Sequence, residues 1–268
     1  MILIQRGPEP TELRQVRDAR VPALRALAAQ RALTRDDIHG YTVVAEALWK
    51  AQALKCCYCE SPVQRKHNDV EHFRPKLAAD RRPGCAERHG YWWLSFTWEN
   101  LLFSCPGCNR GGAKVDRFPL EAGSVALVAE EEPPGQEQPL LVDPCRESGV
   151  RHIEFAPVRV GAEERWFPRA REGSVKGAWT IDVCKLDRED LVDLFTAHVR
   201  QRVEPEAVDI EAAMRAGRRA DVQKAHWTAR LKLLTRRQPY VGLSYDALRY
   251  LVPEDSLGRW GLRWEAPG

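Results

Sequence analysis

Apolar positions Ile38, Tyr41, Ala45, Leu48 and Ala51 recur at steps of three and four, the period of one buried helix face. Thr34 and Asp37 ahead of them form an N-cap with an acidic partner at the third position. The pattern predicts a helix that runs from there into the first of two cysteine pairs. A weaker helix is expected over 11–31, kinked or split by Pro22. Residues 69–75 read as a short strand stopped at Pro75, and 98–104 as a second, apolar strand leading into the second cysteine pair, after which a helix can begin at Asn109. Short strands are expected near 140–142 and 151–155. From Thr180 onward the chain reads helical. Asp187 serves as an N-cap, Leu191, Leu194, Phe195 and Val199 form one face, and Val222, His226, Ala229 and Leu233 form a later one. These elements predict an α+β chain in four stretches: a helical 1–55, a cysteine-bounded 56–120, a loop and short-strand segment 121–179, and a helical 180–268.

Composition narrows the class. With 268 residues, 44% hydrophobic and 29% charged, the chain can bury a sizeable core, which excludes disorder as its main character. No apolar run reaches the ~18 residues of a membrane span. The opening MILIQRGPEP turns charged and proline-broken after four residues and is no signal peptide, so a cytoplasmic protein without a membrane role is expected. The net charge of +3 creates no global field, so any nucleic-acid surface must come from local clustering. Residues 65–117 hold ten basic against six acidic residues, and 200–238 hold ten against five. The first cluster suggests a phosphate-facing rim; the second is read first as a solvated helix face. Residues 121–143 carry six acidic residues and no basic one, around an exposed Pro-Pro-Gly loop.

The cysteines change the picture most. Cys56-x-x-Cys59 and Cys105-x-x-Cys108 are two knuckles 46 residues apart, the spacing of a closed tetrathiolate zinc site with no position left for substrate. Cys57 could replace Cys56 only through a tighter turn. Cys85, Cys145 and Cys184 are unpaired by spacing. Tyr91, Trp92, Trp93 and Trp98 form an aromatic group suited to packing over a small zinc core, with stacking on unpaired bases as the alternative.

Zinc does not explain Glu71-His72-Phe73-Arg74-Pro75, Trp98-Glu99-Asn100-Leu101 or Asn109-Arg110. Together with the knuckles these residues resemble the HNH (His-Me finger) endonucleases. More narrowly, Cys-Cys-Tyr-Cys-Glu, Glu-His-Phe-Arg-Pro-Lys, Tyr-Trp-Trp-Leu and Trp-Glu-Asn-Leu resemble the HNH proteins of retron and Septu anti-phage systems. Phe118-Pro119-Leu120 and Leu186-Asp187-Arg188 extend the likeness, which is dense over 41–120 and thinner through about 200.

The resemblance implies that 56–120 is a ββα-metal core braced by a structural Zn²⁺ on Cys56, Cys59, Cys105 and Cys108. It implies His72 as general base, Asn100 as the residue that orients that base and its loop, and Glu71 with Asn109 as ligands of a catalytic Mg²⁺ or Mn²⁺. A hard cation accepts carboxylate and amide oxygens and offsets charge on a phosphate, and imidazole takes a proton near neutral pH. At an ordinary imidazole pKa that activity fades below about pH 6. Arg74 and Arg110 are the expected phosphate contacts. The chain departs from many relatives in placing Lys114 late after Asn109, and in carrying Glu71 where Asp is common. The implied partners are a nucleic-acid substrate (DNA first, RNA or tRNA as alternatives) and an ATPase, docked on the acidic segment or the C-terminal helices. Two other readings stay open: a non-catalytic zinc-ribbon binding or adaptor protein, and an HNH nuclease of a restriction or mobile-element system.

Overall fold

The computed structural model describes residues 1 and 3–267, a mixed α+β arrangement with two small sheets. Helix α1 (Thr11–Ala28) runs unbroken through Pro22. The helix expected from Thr34 begins later. Asp37 accepts hydrogen bonds from the Thr34 amide and hydroxyl at 2.7 and 2.9 Å, but the capped turn stops at Gly40, whose φ of 99° is left-handed. A 3₁₀ turn at Tyr41–Val44 then leads into α2 (Ala45–Ala51).

Strand β1 (Asp69–His72) pairs antiparallel with β2 (Leu101–Ser104), His72 opposite Leu101 and Glu71 opposite Leu102. All four β2 side chains are buried, and their alternation serves two cores. Leu101 and Phe103 pack with Leu13, Leu24, Val44 and Leu48 of the N-terminal helices, whereas Leu102 joins the larger cluster that holds the cysteines and the C-terminal helices. Gln52, just past α2, closes the free edge of β2: its Nε2 donates to the Phe103 carbonyl at 2.7 Å and its Oε1 accepts from the Phe103 amide at 2.8 Å. The one-turn helix α3 (Pro106–Asn109) lies inside the second knuckle, so Asn109 ends a helix rather than starting one.

Residues 140–142 form no strand, though Leu120 and Pro139 make an isolated bridge. The second sheet is a hairpin of β3 (Ile153–Val160) and β4 (Glu163–Ala170). Its second strand has no place in the sequence pattern, because its charged face hides the alternation. The helices α4 (Val175–Cys184), α5 (Glu189–His198), α6 (Glu204–Ala216), α7 (Arg219–Leu233), α8 (Val241–Leu251) and α9 (Glu254–Gly258) follow, α5 and α6 being joined through a π turn at Val199–Val203. Val222, His226, Ala229 and Leu233 are buried as the period predicts; Leu194 on α5 is exposed. Among the described residues no helix is long and apolar enough to cross a membrane.

Candidate functional site

The two knuckles bring Cys56, Cys59, Cys105 and Cys108 together, with all four sulfur atoms within 4.8 Å of one another. The first turn closes through the Glu60 amide on the Cys56 carbonyl at 3.1 Å, the second through the Cys108 amide on the Cys105 carbonyl at 3.1 Å. The Cys105 amide donates to Cys56 Sγ at 3.4 Å, which locks the knuckles to each other. Hydrogen bonds from the neighbouring thiols pull the Cys59 thiol well below its usual range, while the thiols of Cys56, Cys105 and Cys108 lie above theirs. The Arg188 guanidinium, 3.5 Å from Cys108 Sγ, adds positive charge beside the sulfurs. Four convergent thiols suit a tetrahedral soft-ligand ion, and this cluster could hold zinc. Cys57 is outside the cluster. Its amide donates to the Phe103 carbonyl at 3.0 Å, and burial pushes its thiol up to about 12.

Beside the knuckles a cavity of about 760 Å³ is lined by Glu71, His72, Asn109 and Arg110, with Tyr41 and Lys76 also in its wall. His72, at the end of β1, is buried, and the Tyr41 ring meets its imidazole edge-on at 4.6 Å. The Ser95 carbonyl lies 3.0 Å from His72 Nε2. A carbonyl can only accept, so Nε2 carries the proton and Nδ1 the lone pair. Burial, reinforced by the charges of Lys76 and Lys114, pushes the imidazole down to about 3. It is therefore held neutral at pH 7, with its pKa below the ordinary imidazole range.

Glu71 stands beside it with its carboxylate buried. The Lys114 ammonium, itself fully buried, lies 2.5 Å from Glu71 Oε1 and donates to the His72 carbonyl at 2.9 Å. Burial raises the Glu71 carboxyl above its ordinary range, and Lys114 pulls it back. Oε1 makes no hydrogen bond of acceptable angle, so a buried carboxylate oxygen is left with an ion pair alone. Asn109 Nδ2 donates to Asp69 Oδ2 at 3.1 Å, which leaves its amide oxygen as an acceptor. Two oxygens of this kind suit a hard cation that keeps several waters. Among the described residues, however, the four cysteines are the one group of three or more converging Cys, His or carboxylate ligands.

The remaining expected residues are placed differently. Asn100 is buried and holds backbone: its Oδ1 accepts from the Arg74 amide at 2.8 Å, while Nδ2 donates to the Arg74 and Leu94 carbonyls at 3.1 and 3.2 Å. It thus fixes the chain two residues beyond His72. Arg110 lines the cavity and grips Asp69 with both Nε and Nη2. Arg74, expected on the phosphate-facing rim, is buried instead in an ion pair with Glu137 and does not line the cavity. Asp69, Tyr41, Ser95 and Lys114 complete the surroundings unannounced. Only Lys114 left a trace in the sequence, as the late basic residue after Asn109.

A comparison with known proteins bears on this arrangement. The chain is 33% identical over 218 residues to the Septu protein PtuB of Bacillus mycoides (strain KBAB4), covering 78% of this chain and 70% of that protein. It is 29% identical over 141 residues to the Septu protein PtuA of the same strain, covering 52% of this chain but only 18% of that relative. No family model and no solved structure matches the chain.

Proposed function

The chain belongs to the family of the Septu protein PtuB, and from that premise we propose that it is a metal-dependent HNH endonuclease, the nucleic-acid-cutting component of an anti-phage system that works with an ATPase. The supporting observation is the state of His72: neutral, aligned by the Ser95 carbonyl on Nε2, with the lone pair on Nδ1, in the wall of a cavity that also holds Glu71 and Asn109.

In this reading β1, β2 and α3 are the ββα unit. His72 Nδ1 takes a proton from the attacking water, and the Ser95 carbonyl stabilises the imidazolium that forms. Asn100 holds the backbone just past His72, and Lys114 favours the ionised form of Glu71 as a ligand. Arg110 meets the phosphate by exchanging part of its grip on Asp69. Glu71 and Asn109 would hold a Mg²⁺ or Mn²⁺, which when bound offsets charge on the scissile phosphate and the departing 3′-oxygen. Cys56, Cys59, Cys105 and Cys108 would hold a structural zinc outside the reaction.

The test is nicking of plasmid DNA by the purified chain, alone and with its ATPase, in Mg²⁺ or Mn²⁺. His72→Ala should lose about 10² to 10⁴ of the rate, the usual worth of a general base, at any ion concentration. Asn109→Ala should regain part of its loss as Mn²⁺ is raised. Cutting that survives EDTA, or a His72→Ala chain as fast as wild type, would overturn the reading and favour a binding module.

A further inference from the structure

A second cavity, of about 430 Å³ and mostly apolar in its lining, adjoins the first; Lys76 and Leu77 belong to the walls of both. Trp92 and Trp93 line it, their rings edge to face at 6.0 Å. Trp93 is buried and fixed, its Nε1 donating to the Glu131 carbonyl at 2.8 Å, whereas Trp92 is only partly covered. The floor is backbone on backbone. The Gly90 amide donates to the Leu77 carbonyl at 3.0 Å, and a Cβ at Gly90 would lie 2.3 Å from the Leu77 backbone. Val128, 57% exposed, lies on the rim.

The cation between the two cavities is held differently from Arg110 and Arg74. Arg110 is engaged by Asp69 and Arg74 by Glu137, but the Lys76 ammonium rests on the Tyr41 hydroxyl at 2.5 Å and over the Tyr41 ring at 4.1 Å. A neutral hydroxyl and a ring face leave most of its charge available to an anion. We infer that the tryptophan cavity is a subsite for an unpaired nucleobase next to the scissile phosphate, with Lys76 on the phosphate between them. The inference rests on the nuclease reading and adds the substrate class: a single-stranded or locally unpaired strand. A base within a duplex has both faces covered by its neighbours and cannot enter such a groove, whereas an extruded base offers a planar apolar face to an indole.

The test measures binding rather than cutting, with the full His72→Ala chain. Oligonucleotides carrying 2-aminopurine are offered as single-stranded DNA, single-stranded RNA and blunt duplex DNA of the same sequence. Anisotropy should show the single strands binding at least tenfold tighter than the duplex, with 2-aminopurine emission quenched on binding. Adding Trp92→Ala should cost about tenfold in single-strand affinity and remove the quenching, as expected for one base stacked on an aromatic ring, with duplex binding unchanged. Trp92→Phe should restore both. Val128→Glu, an exposed change that leaves the core intact, should weaken the single strands in the same way. Selective loss in either single-strand arm supports the subsite, and the tighter arm identifies the sugar. Equal affinity in Trp92→Ala and Val128→Glu, a parallel loss on duplex, or loss of ATPase binding in place of oligonucleotide binding would overturn it. Wild type that cuts no nucleic acid would instead count against the nuclease reading, so the two failures are distinguishable.

Discussion

Arg74 Nε donates to Glu137 Oε2 at 2.9 Å inside the protein, joining the residue two positions after His72 to the acidic segment 121–143. The other carboxylate oxygen, Oε1, accepts from the Tyr91 hydroxyl and the Leu127 amide, and the Tyr91 hydroxyl accepts from Arg81 Nε at 2.8 Å. The stretch that reads as a solvated acidic loop therefore keeps one carboxylate as a buried strut for the β1–β2 hairpin. Removing one partner of such a pair strands a charge. Glu137→Ala should lower unfolding stability by about 3–5 kcal/mol, and the double variant Arg74→Met, Glu137→Leu should recover much of it. Urea unfolding measures both; a single variant as stable as wild type would refute the strut.

The Lys114–Glu71 pair separates stability from chemistry. Lys114→Met leaves a buried carboxylate without its cation, so the chain should lose several kcal/mol and, with a Glu71 that no longer ionises, most of its cutting. Adding Glu71→Gln neutralises the orphan. The double variant should regain stability in urea yet remain inactive on plasmid. Activity returning together with stability would mean that Glu71 has no part in the reaction.

Metal content tests the knuckles. The tetrathiolate argument predicts about one zinc per chain by elemental analysis. Cys105→Ser with Cys108→Ser should remove it and, because the knuckles tie the end of α2 to β2, should also unfold the β1–β2 hairpin, seen as faster amide exchange at Glu71 and Leu102. The buried Cys57→Ser should keep the metal. Zinc retained in the double variant would rule out the site.

What could be read without coordinates was whatever depends on short spacing. A Cys-x-x-Cys turn brings its two sulfurs together wherever it occurs, a proline stops a strand, and steps of three and four bury Val222, His226, Ala229 and Leu233 on one side of a helix. What escaped depends on partners far along the chain. Glu137 and Arg74 are 63 residues apart, Lys114 and the His72 carbonyl 42, His72 and the Ser95 carbonyl 23. No local pattern marks a charged side chain as one that will be buried against such a partner, so Arg74 looks like a phosphate contact until Glu137 is found on it. The start at Thr34 failed for a local reason: a well-formed cap was followed too soon by a left-handed Gly40. The family likeness supplied roles for His72, Asn100, Glu71 and Asn109; periodicity alone could not have distinguished them from packing residues.

Acid sensitivity follows from a histidine remote from the cavity. His198 is buried at the end of α5, with Nε2 2.8 Å from Ser244 Oγ and the Tyr240 ring edge-on at 5.2 Å. Burial, with the charge of Arg202 added, pushes its imidazole down to about 4; Glu60 opposes the shift only weakly. An unfolded histidine titrates near ~6.5. Between those values the unfolded chain binds a proton that the folded chain refuses, so stability is complete above about pH 6.5 and declines as pH falls toward 4. The loss at this one site reaches ~3 kcal/mol at the low end, from about 1.4 kcal/mol per pKa unit. His72, pushed down to about 3, acts in the same direction over a wider range. His198→Gln keeps a donor for Ser244 but has no proton to gain. Its urea midpoint should therefore change less than that of wild type between pH 7 and pH 4.5, with the residual slope shared among the other buried groups, His72 and His226 included. Identical pH dependence in the two proteins would show that His198 is not held neutral by its burial.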